Sequence, residues 1–508
     1  MQNDMSEKSI HKIQKDIIEP LELPSMRPIS LIRKFGPGIM LMMTGIGTSH
    51  LVTAPVAGGR YGYALLWCLP IAYIFKYYGF EMAIRFTHAT GRSMLDAYAT
   101  AWKKIPIWYV LITTIIQSAV GQAGRLIAAA AVIFYFFRIY LQIDIPLFND
   151  NNELALYALI LGLISVYIIL RGDYKIVELT TKIAAGILIV SIITIYAFEP
   201  APTNEFVHFF QIDTPEGSWL IIASFLGLLP TGIDVSLQAS EWGKAKNVGT
   251  SYLRKKLEQK SLIKEFDPFS STKQDLQINR KLLSDNENEY CSRWFRIGLI
   301  DFRLGHIVSF ILAAIFILLA AVWLFPSSVS GNAVMGEIAR IFTDSVGTNF
   351  MVIFLAGALA ATFSTAFNYF DGWPRVIGAC CRNLFKKTAA LPRDNKSNIN
   401  NNKIKYWYSE YNLYRISMFF SLIMSVGIIA GLPRPVYLVL IASALAYFVA
   451  PIIYFLNLFY CITIIPKEDQ EFFPSKFAIF FGSLSLVVFT GMSLILILQR
   501  IFGINLNL

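Results

Sequence analysis

Charge is what this 508-residue chain has least of. Asp, Glu, Lys and Arg together make up 15% of it, where a soluble globular chain carries about a quarter. That shortage argues against a water-soluble fold of this length. Cysteine is scarce as well, with five residues: Cys68, Cys291, Cys380, Cys381 and Cys461. Cys380 and Cys381 are merely adjacent and no pair has metal-ligand spacing, so all five read as structural or incidental. No phosphate loop, nucleophile elbow or HExxH pattern is present, which argues against those enzyme classes. The first 35 residues are polar and of mixed charge, without an apolar core near Met1, so no cleavable signal peptide is expected.

What the chain does have is apolar length. Hydrophobic residues make up 55%, and runs of about 20 residues, enough to cross a bilayer, recur along it. We read about eleven spans, at roughly 38–58, 62–86, 107–137, 153–170, 176–198, 218–240, 304–325, 349–370, 414–432, 434–460 and 476–498. The expectation is an all-α, multi-pass membrane protein whose first partner is the lipid bilayer. The net charge of +10 is not a nucleic-acid footprint. Numbering the loops alternately puts most of the Lys and Arg on the side of the N-terminal segment. The other side holds Arg60, Arg138, Arg340, Arg434 and Arg500, and Lys76, Arg85 and Arg125 fall within spans. By the positive-inside rule the N-terminus is cytoplasmic and, after eleven spans, the C-terminus is outside, with the cell (inner) membrane as the expected location.

Two spans are interrupted. GPGIMLMMTGIGTSHLVTAPVAGG (36–59) and WLIIASFLGLLPTGIDVSLQAS (219–240) each carry helix-breaking Gly or Pro in the middle. Backbone freed from a helix at membrane depth is tolerated only where it is buried in protein or lines a cavity. Two such breaks in corresponding places, five spans apart, point to the binding site of a carrier built from two inverted five-span repeats, spans 1–5 and 6–10. The domain plan is a cytoplasmic segment (1–35), spans 1–6 (36–240), a polar cytoplasmic loop (241–300), spans 7–11 (301–500) with a cytoplasmic linker near 376–410, and a short tail (501–508). In the polar loop, YLRKKLEQKSLIKEF reads as a short amphipathic helix and the remainder as disordered. A second Asn-rich segment, 393–405, joins spans 8 and 9.

Ionisable residues inside spans are functional by default. Asp234, in span 6, reads either as a ligand or as a cap on the helix restarting after the break. Arg125, deep in span 3, needs a partner, and Asp234 is a candidate for a gating ion pair. Lys76, Glu81 and Arg85 approach the cytoplasmic side of span 2, with Glu81 and Arg85 at the i,i+4 spacing of an ion pair. Hydroxyls from Thr44, Thr48, Ser49 and Thr231 sit at both breaks, where some only satisfy freed backbone.

From Gly36-Pro37-Gly38 through Ala57-Gly58, Gly62-Tyr63, Leu65-Leu66-Trp67 and Arg85 to Thr90-Gly91, the chain resembles the Nramp (natural resistance-associated macrophage protein) family of divalent-metal transporters. RGDYKIVEL (171–179) resembles that family's loop into span 5, and Leu226-Gly227 precede the second break. The resemblance implies a LeuT-type fold with discontinuous helices 1 and 6 and no cofactor, the divalent metal being substrate. The signature residues differ. Where the family has Asp-Pro-Gly-Asn, this chain has Gly47-Thr48-Ser49-His50; where it has Met-Pro-His-Asn, this chain has Thr231-Gly232-Ile233-Asp234. The carbonyl ligands fall on Thr44 and Leu228, and two proton-pathway carboxylates on Gly121 and Gly124. Losing the thioether removes a filter for soft metals. His50 and Asp234 are the candidates to compensate, for a Mn/Fe-like ion or for a Mg²⁺ that keeps its waters. His50 reads equally as a cap on broken backbone. Proton coupling is expected to be weak or absent. Two rival readings stay open: a LeuT-fold carrier of an amino acid or other small solute, held by half-helix N–H groups, and a non-transporting membrane sensor.

Overall fold

The computed structural model describes residues 21–47, 49–143, 149–198, 200–326, 348–386, 407–432 and 434–500. Thr48, the segment 393–405 and the tail 501–508 lie outside the described residues, and of Ser49 only the backbone is described. All regular secondary structure among the described residues is helical. In order the α-helices are α1 (Pro28–Lys34), α2 (Pro37–Ile46), α3 (Ala54–Tyr61), α4 (Cys68–Thr90), α5 (Met94–Tyr98), α6 (Ile105–Ile116), α7 (Gln122–Tyr135), α8 (Asp150–Arg171), α9 (Tyr174–Phe198), α10 (Trp219–Leu228), α11 (Val235–Lys246), α12 (Thr250–Gln259), α13 (Asp285–Leu324), α14 (Thr348–Leu384), α15 (Glu410–Gly431), α16 (Pro435–Ile464) and α17 (Lys476–Arg500). Short 3₁₀ and π segments join several of them, and a π turn at Gln117–Gly121 links α6 to α7.

Eight helices among the described residues are long and apolar enough to cross a membrane. The other three expected spans have visible reasons for falling outside that set. Spans 1 and 6 are each split, into α2 with α3 and α10 with α11, and α4 carries Lys76, Glu81 and Arg85 within its 23 residues. Proline begins several helices: Pro37 sits in the first turn of α2 and Pro435 in that of α16, where its missing N–H costs nothing. Elsewhere polar caps set the starts. Ser284 and Glu287 form a capping box at α13, and the Asn149 side chain accepts from the Asn152 amide at α8.

Two glycines of the opening motif have specific jobs. Gly91 ends α4 in the left-handed region (φ 70°), the conformation glycine adopts without a steric cost; a Cβ there would stand 2.7 Å from the Thr250 carbonyl. Gly58 lets α3 lie flat on α13, since a Cβ would meet Ala320 Cβ and the Ile317 carbonyl, each at 2.7 Å.

The polar loop after span 6 differs from its expected form. The amphipathic helix is there as α12, but the rest is folded rather than disordered. Leu276 is buried in the main core, and Ile278 and Leu283 are buried in a second apolar cluster with Met82, Leu253, Phe295, Leu458 and Phe472. Arg254 ties it together, donating to the carbonyls of Thr90 (3.0 Å), Leu276 (2.9 Å) and Asp275 (2.6 Å). The high polar content hid a few well-spaced apolar anchors. α13 itself begins at Asp285, inside the segment read as loop.

Candidate functional site at the two helix breaks

The two breaks are built differently. In span 1, α2 stops at Ile46, a π turn covers Ser49–Thr53 and α3 resumes at Ala54. The helix is loosened rather than opened, since the Leu51 amide still reaches the Gly47 carbonyl at 3.2 Å. The freed groups are met by α14: Thr365 Oγ1 accepts from the Gly47 amide (2.9 Å) and donates to the Met43 carbonyl (2.9 Å). In span 6 the chain is extended at Leu229 (φ −91°, ψ 131°), and α11 starts only at Val235. There the freed carbonyls are met by α4. Lys76 Nζ donates to Gly227 (2.7 Å), Leu229 (2.8 Å) and Thr231 (3.2 Å). Orphan backbone in a bilayer core costs several kcal/mol per group, so each break is held by one side chain from a neighbouring span.

The expected site residues divide between these surroundings. His50 is fully buried. Its Nε2 shares a 3.2 Å hydrogen bond with Tyr73 Oη, which pairs in turn with Ser309 Oγ at 2.7 Å. The ring also lies against the Gly45 backbone and edge-on to Phe316. In this arrangement the His50 ring is engaged with Tyr73 and the backbone of its own span. Thr44 turns its hydroxyl onto its own helix, donating to the Leu41 carbonyl at 2.5 Å. Thr231 Oγ1 pairs with Tyr369 Oη at 3.1 Å, while its carbonyl faces Lys76. Leu228 is the last residue of α10.

Asp234 occupies the cap position of α11, but its side chain makes no capping hydrogen bond; the expected cap is not formed. Its Oδ1 is buried without a hydrogen-bond partner. Every other residue from Ser224 to Trp242 is buried, and Asp234 alone in that stretch is partly exposed. Arg125 and Lys76 lie within electrostatic reach of it. The expected Arg125–Asp234 ion pair is absent from those within 4.0 Å among the described residues. Arg125 instead donates to the Gly121 carbonyl of its own helix (2.7 Å), and its guanidinium sits 3.8 Å from the Tyr369 ring centroid and 4.9 Å from that of Trp373. Such cation–π contacts are worth about 2 kcal/mol when desolvated. Gln117, Gln238 and the Trp373 indole, all buried, also carry polar atoms with no hydrogen-bond partner. Glu81 and Arg85 do pair, at 2.5 Å.

Among the described residues no group of three or more His, Cys, Asp or Glu is arranged to hold a metal ion. The family model described as "Natural resistance-associated macrophage protein-like" matches residues 38–499. The chain belongs to the Nramp family. It is an integral, multi-pass membrane protein with a transporter fold. An uncharacterized protein, PM0681, of Pasteurella multocida (strain Pm70) is 21% identical over 367 residues, covering 70% of this chain and 72% of that one. Crystal structures of mutant Eremococcus coleocola manganese transporters superpose with TM-scores of 0.65 and 0.64 at 13% identity, covering 97% of this chain and 92% of theirs. Mhp1, a nucleobase-cation-symport-1 family transporter in a closed conformation with bromovinylhydantoin bound, superposes at 0.50 and 11% identity, over 95% of this chain and 96% of that one. At these identities the superpositions speak for the fold alone.

Within this Nramp chain the residue that sequence reasoning misplaced is Lys76. It was grouped with Glu81 and Arg85 near the cytoplasmic end. At about 1.5 Å per residue, however, it lies roughly 13 Å deeper along the helix than Arg85, which puts it level with the span 6 break. Depth along the helix was the available signal. Thr365 and Tyr73 carry no comparable mark, being ordinary residues in apolar spans. Asp301 was also unmarked. It reaches across from α13 to the start of span 1, where Oδ2 accepts from the amides of Gly36 (2.8 Å) and Gly38 (2.9 Å) and Oδ1 from that of Ile39 (3.1 Å). This carboxylate caps a helix that has no side-chain cap of its own.

Proposed function

We propose that this Nramp-family protein is a secondary carrier that moves a divalent metal cation, Mn/Fe-like or Mg²⁺, by alternating access, with Asp234 as the carboxylate that meets the cargo. The observation that carries this reading is the state of Asp234. It is a carboxylate at a helix break in mid-membrane, with one oxygen buried and unbonded and the residue partly open in an otherwise buried stretch. A buried carboxylate oxygen without a hydrogen bond is costly, and a bound cation would offset that cost. One carboxylate with hydroxyls and carbonyls nearby is a poor cage for a dehydrated transition metal and a better one for an ion that keeps several waters. The same reading puts the N-terminus, with its basic flanks, on the cytoplasmic side of the cell membrane, in line with the positive-inside rule.

A second reading is favoured by a specific feature of the same cluster. Arg125 and Lys76 give it two cationic side chains against one carboxylate, a balance that suits a small solute with an anionic group, such as an amino acid. Thermal-shift measurements on purified protein separate the two. Divalent ions should raise the melting temperature of the wild type and not of Asp234→Asn, while amino acids leave both unchanged. Stabilisation by amino acids alone would sink the metal reading in favour of the second. Loss of response in the variant also requires that it melt cooperatively.

A further inference from the structure

The carbonyls of Gly227, Leu229 and Thr231 converge on a single nitrogen, at 2.7, 2.8 and 3.2 Å. That nitrogen belongs to Lys76, whose side chain is wholly buried. An ammonium group has three N–H donors and no acceptor, so three carbonyls saturate it. The carbonyls lie at and just beyond the C-terminal end of α10, where unpaired carbonyls and the negative end of the helix dipole favour a cation. The Phe489 ring covers another side, its centroid 5.4 Å from Nζ. Oxygen ligands at a helix terminus, closed by an aromatic face, make a small-cation site, and the occupant here is covalently attached.

We infer that the span 6 break is a monovalent-cation site permanently filled by the ammonium of Lys76. The tethered cation holds the discontinuous helix open at a fixed geometry and removes any need for a free monovalent ion at this position. Three features support the assignment over a lysine buried for packing alone. All three donors are spent on backbone, none on a carboxylate among the described residues. The acceptors are Gly227 in the last turn of α10 and Leu229 and Thr231 in the break beyond it, carbonyls that a continuous helix would bond to its own chain. And α4 presents Tyr73 one turn earlier, bonded to His50 of span 1, so one face of α4 touches both breaks. Whatever the cargo is, the inference does not depend on it, because these three carbonyls are already taken.

The test is chemical rescue. Lys76→Ala vacates the site and leaves three carbonyls without donors. Its melting temperature should fall below that of the wild type and recover, with saturation, as ammonium, methylammonium, sodium or potassium is titrated in. N-methyl-D-glucamine at equal ionic strength should give no recovery. Lys76→Met fills the space without donating, so it should be destabilised and should not recover with any of these ions. An alanine variant that melts like the wild type, or responds equally to small cations and to N-methyl-D-glucamine, overturns the assignment. If the alanine variant yields no folded protein in any of these salts, the wild type decides. Its melting temperature should be the same in sodium, potassium and N-methyl-D-glucamine chloride, and specific stabilisation by sodium or potassium overturns the inference.

Discussion

Gly47 is the residue that the resemblance sets against the family's metal-binding aspartate, and the surrounding atoms close over the position. A Cβ there would come within 2.1 Å of Thr365 Oγ1 and 2.5 Å of the Ala361 carbonyl. The threonine is engaged on both sides, with the Gly47 amide and the Met43 carbonyl, and the carbonyl belongs to helix backbone, so neither yields cheaply. The missing carboxylate is therefore not a gap that restoring the side chain repairs. Gly47→Asp should lower stability by about 1–3 kcal/mol through overpacking and should not strengthen divalent-ion binding; calorimetric titration of the purified variant against Mn²⁺ and Mg²⁺ checks both. Tight ion binding by Gly47→Asp would mean that the cavity is still there in another state. The departure from the family pattern was plain in the sequence at this residue. What filled the space was not, because Thr365 lies 318 positions away and looks like any hydroxyl in an apolar span.

At the level of elements, the ends of several helices are gathered on one buried carboxylate. Asp96 lies in α5, the short helix between spans 2 and 3, and is fully buried. It pairs with Lys244 at the end of α11 (3.3 Å) and Arg382 at the end of α14 (2.7 Å), and Arg382 passes the link on to Glu410 at the start of α15 (2.9 Å). Burial alone would raise the Asp96 carboxyl; Lys244, Arg382 and Arg92 outweigh it and hold the group well below the usual carboxylate range. A depressed carboxyl contributes stability that is fully present above its unfolded value, about 4, and is lost as pH falls through the folded value. Asp96→Asn should thus cost about 2–4 kcal/mol near neutrality, since it leaves two partly buried cations without their carboxylate. The difference in melting temperature between wild type and variant should stay level from pH 8 to pH 5 and narrow only below about pH 4. A gap that closes already at pH 6 would show that Asp96 is not the group responsible. Here the sequence was least informative. The loop residues that build this junction read as polar linkers, because ion pairs between distant segments leave no periodic trace. The breaks in spans 1 and 6, marked by Gly and Pro at known depth, were readable at once.

For the whole molecule, the order of spans and the two interruptions were legible because hydropathy and helix breakers act locally, whereas the wiring between spans depends on which side chains meet. That wiring bears on what drives transport. A proton-coupled carrier needs a carboxylate or histidine that is free to gain and lose a proton as the protein changes state. Glu81 is paired with Arg85. Asp371 is held by Arg375 (2.6 Å), Trp242 (2.8 Å) and Tyr414 (2.6 Å), and Asp301 is spent on three amides at the start of span 1. Gly121 and Gly124, where the family's pathway carboxylates would fall, are packed against Arg125 and against the Leu438 backbone. Among the described residues Asp234 is the carboxylate at the breaks with an unbonded oxygen, while away from the breaks Glu241 Oε1 and His306 Nδ1 are also buried without a hydrogen-bond partner. As the proposed contact for the cargo, Asp234 would exchange cargo for a proton within that one site. We expect uptake that is weakly coupled or uncoupled. In proteoliposomes carrying a metal-quenched dye and an internal pH probe, divalent-ion entry should proceed without acidification of the lumen, and an imposed pH gradient should leave the initial rate unchanged. Metal-driven acidification that disappears in Asp234→Asn would instead make that residue the coupling group.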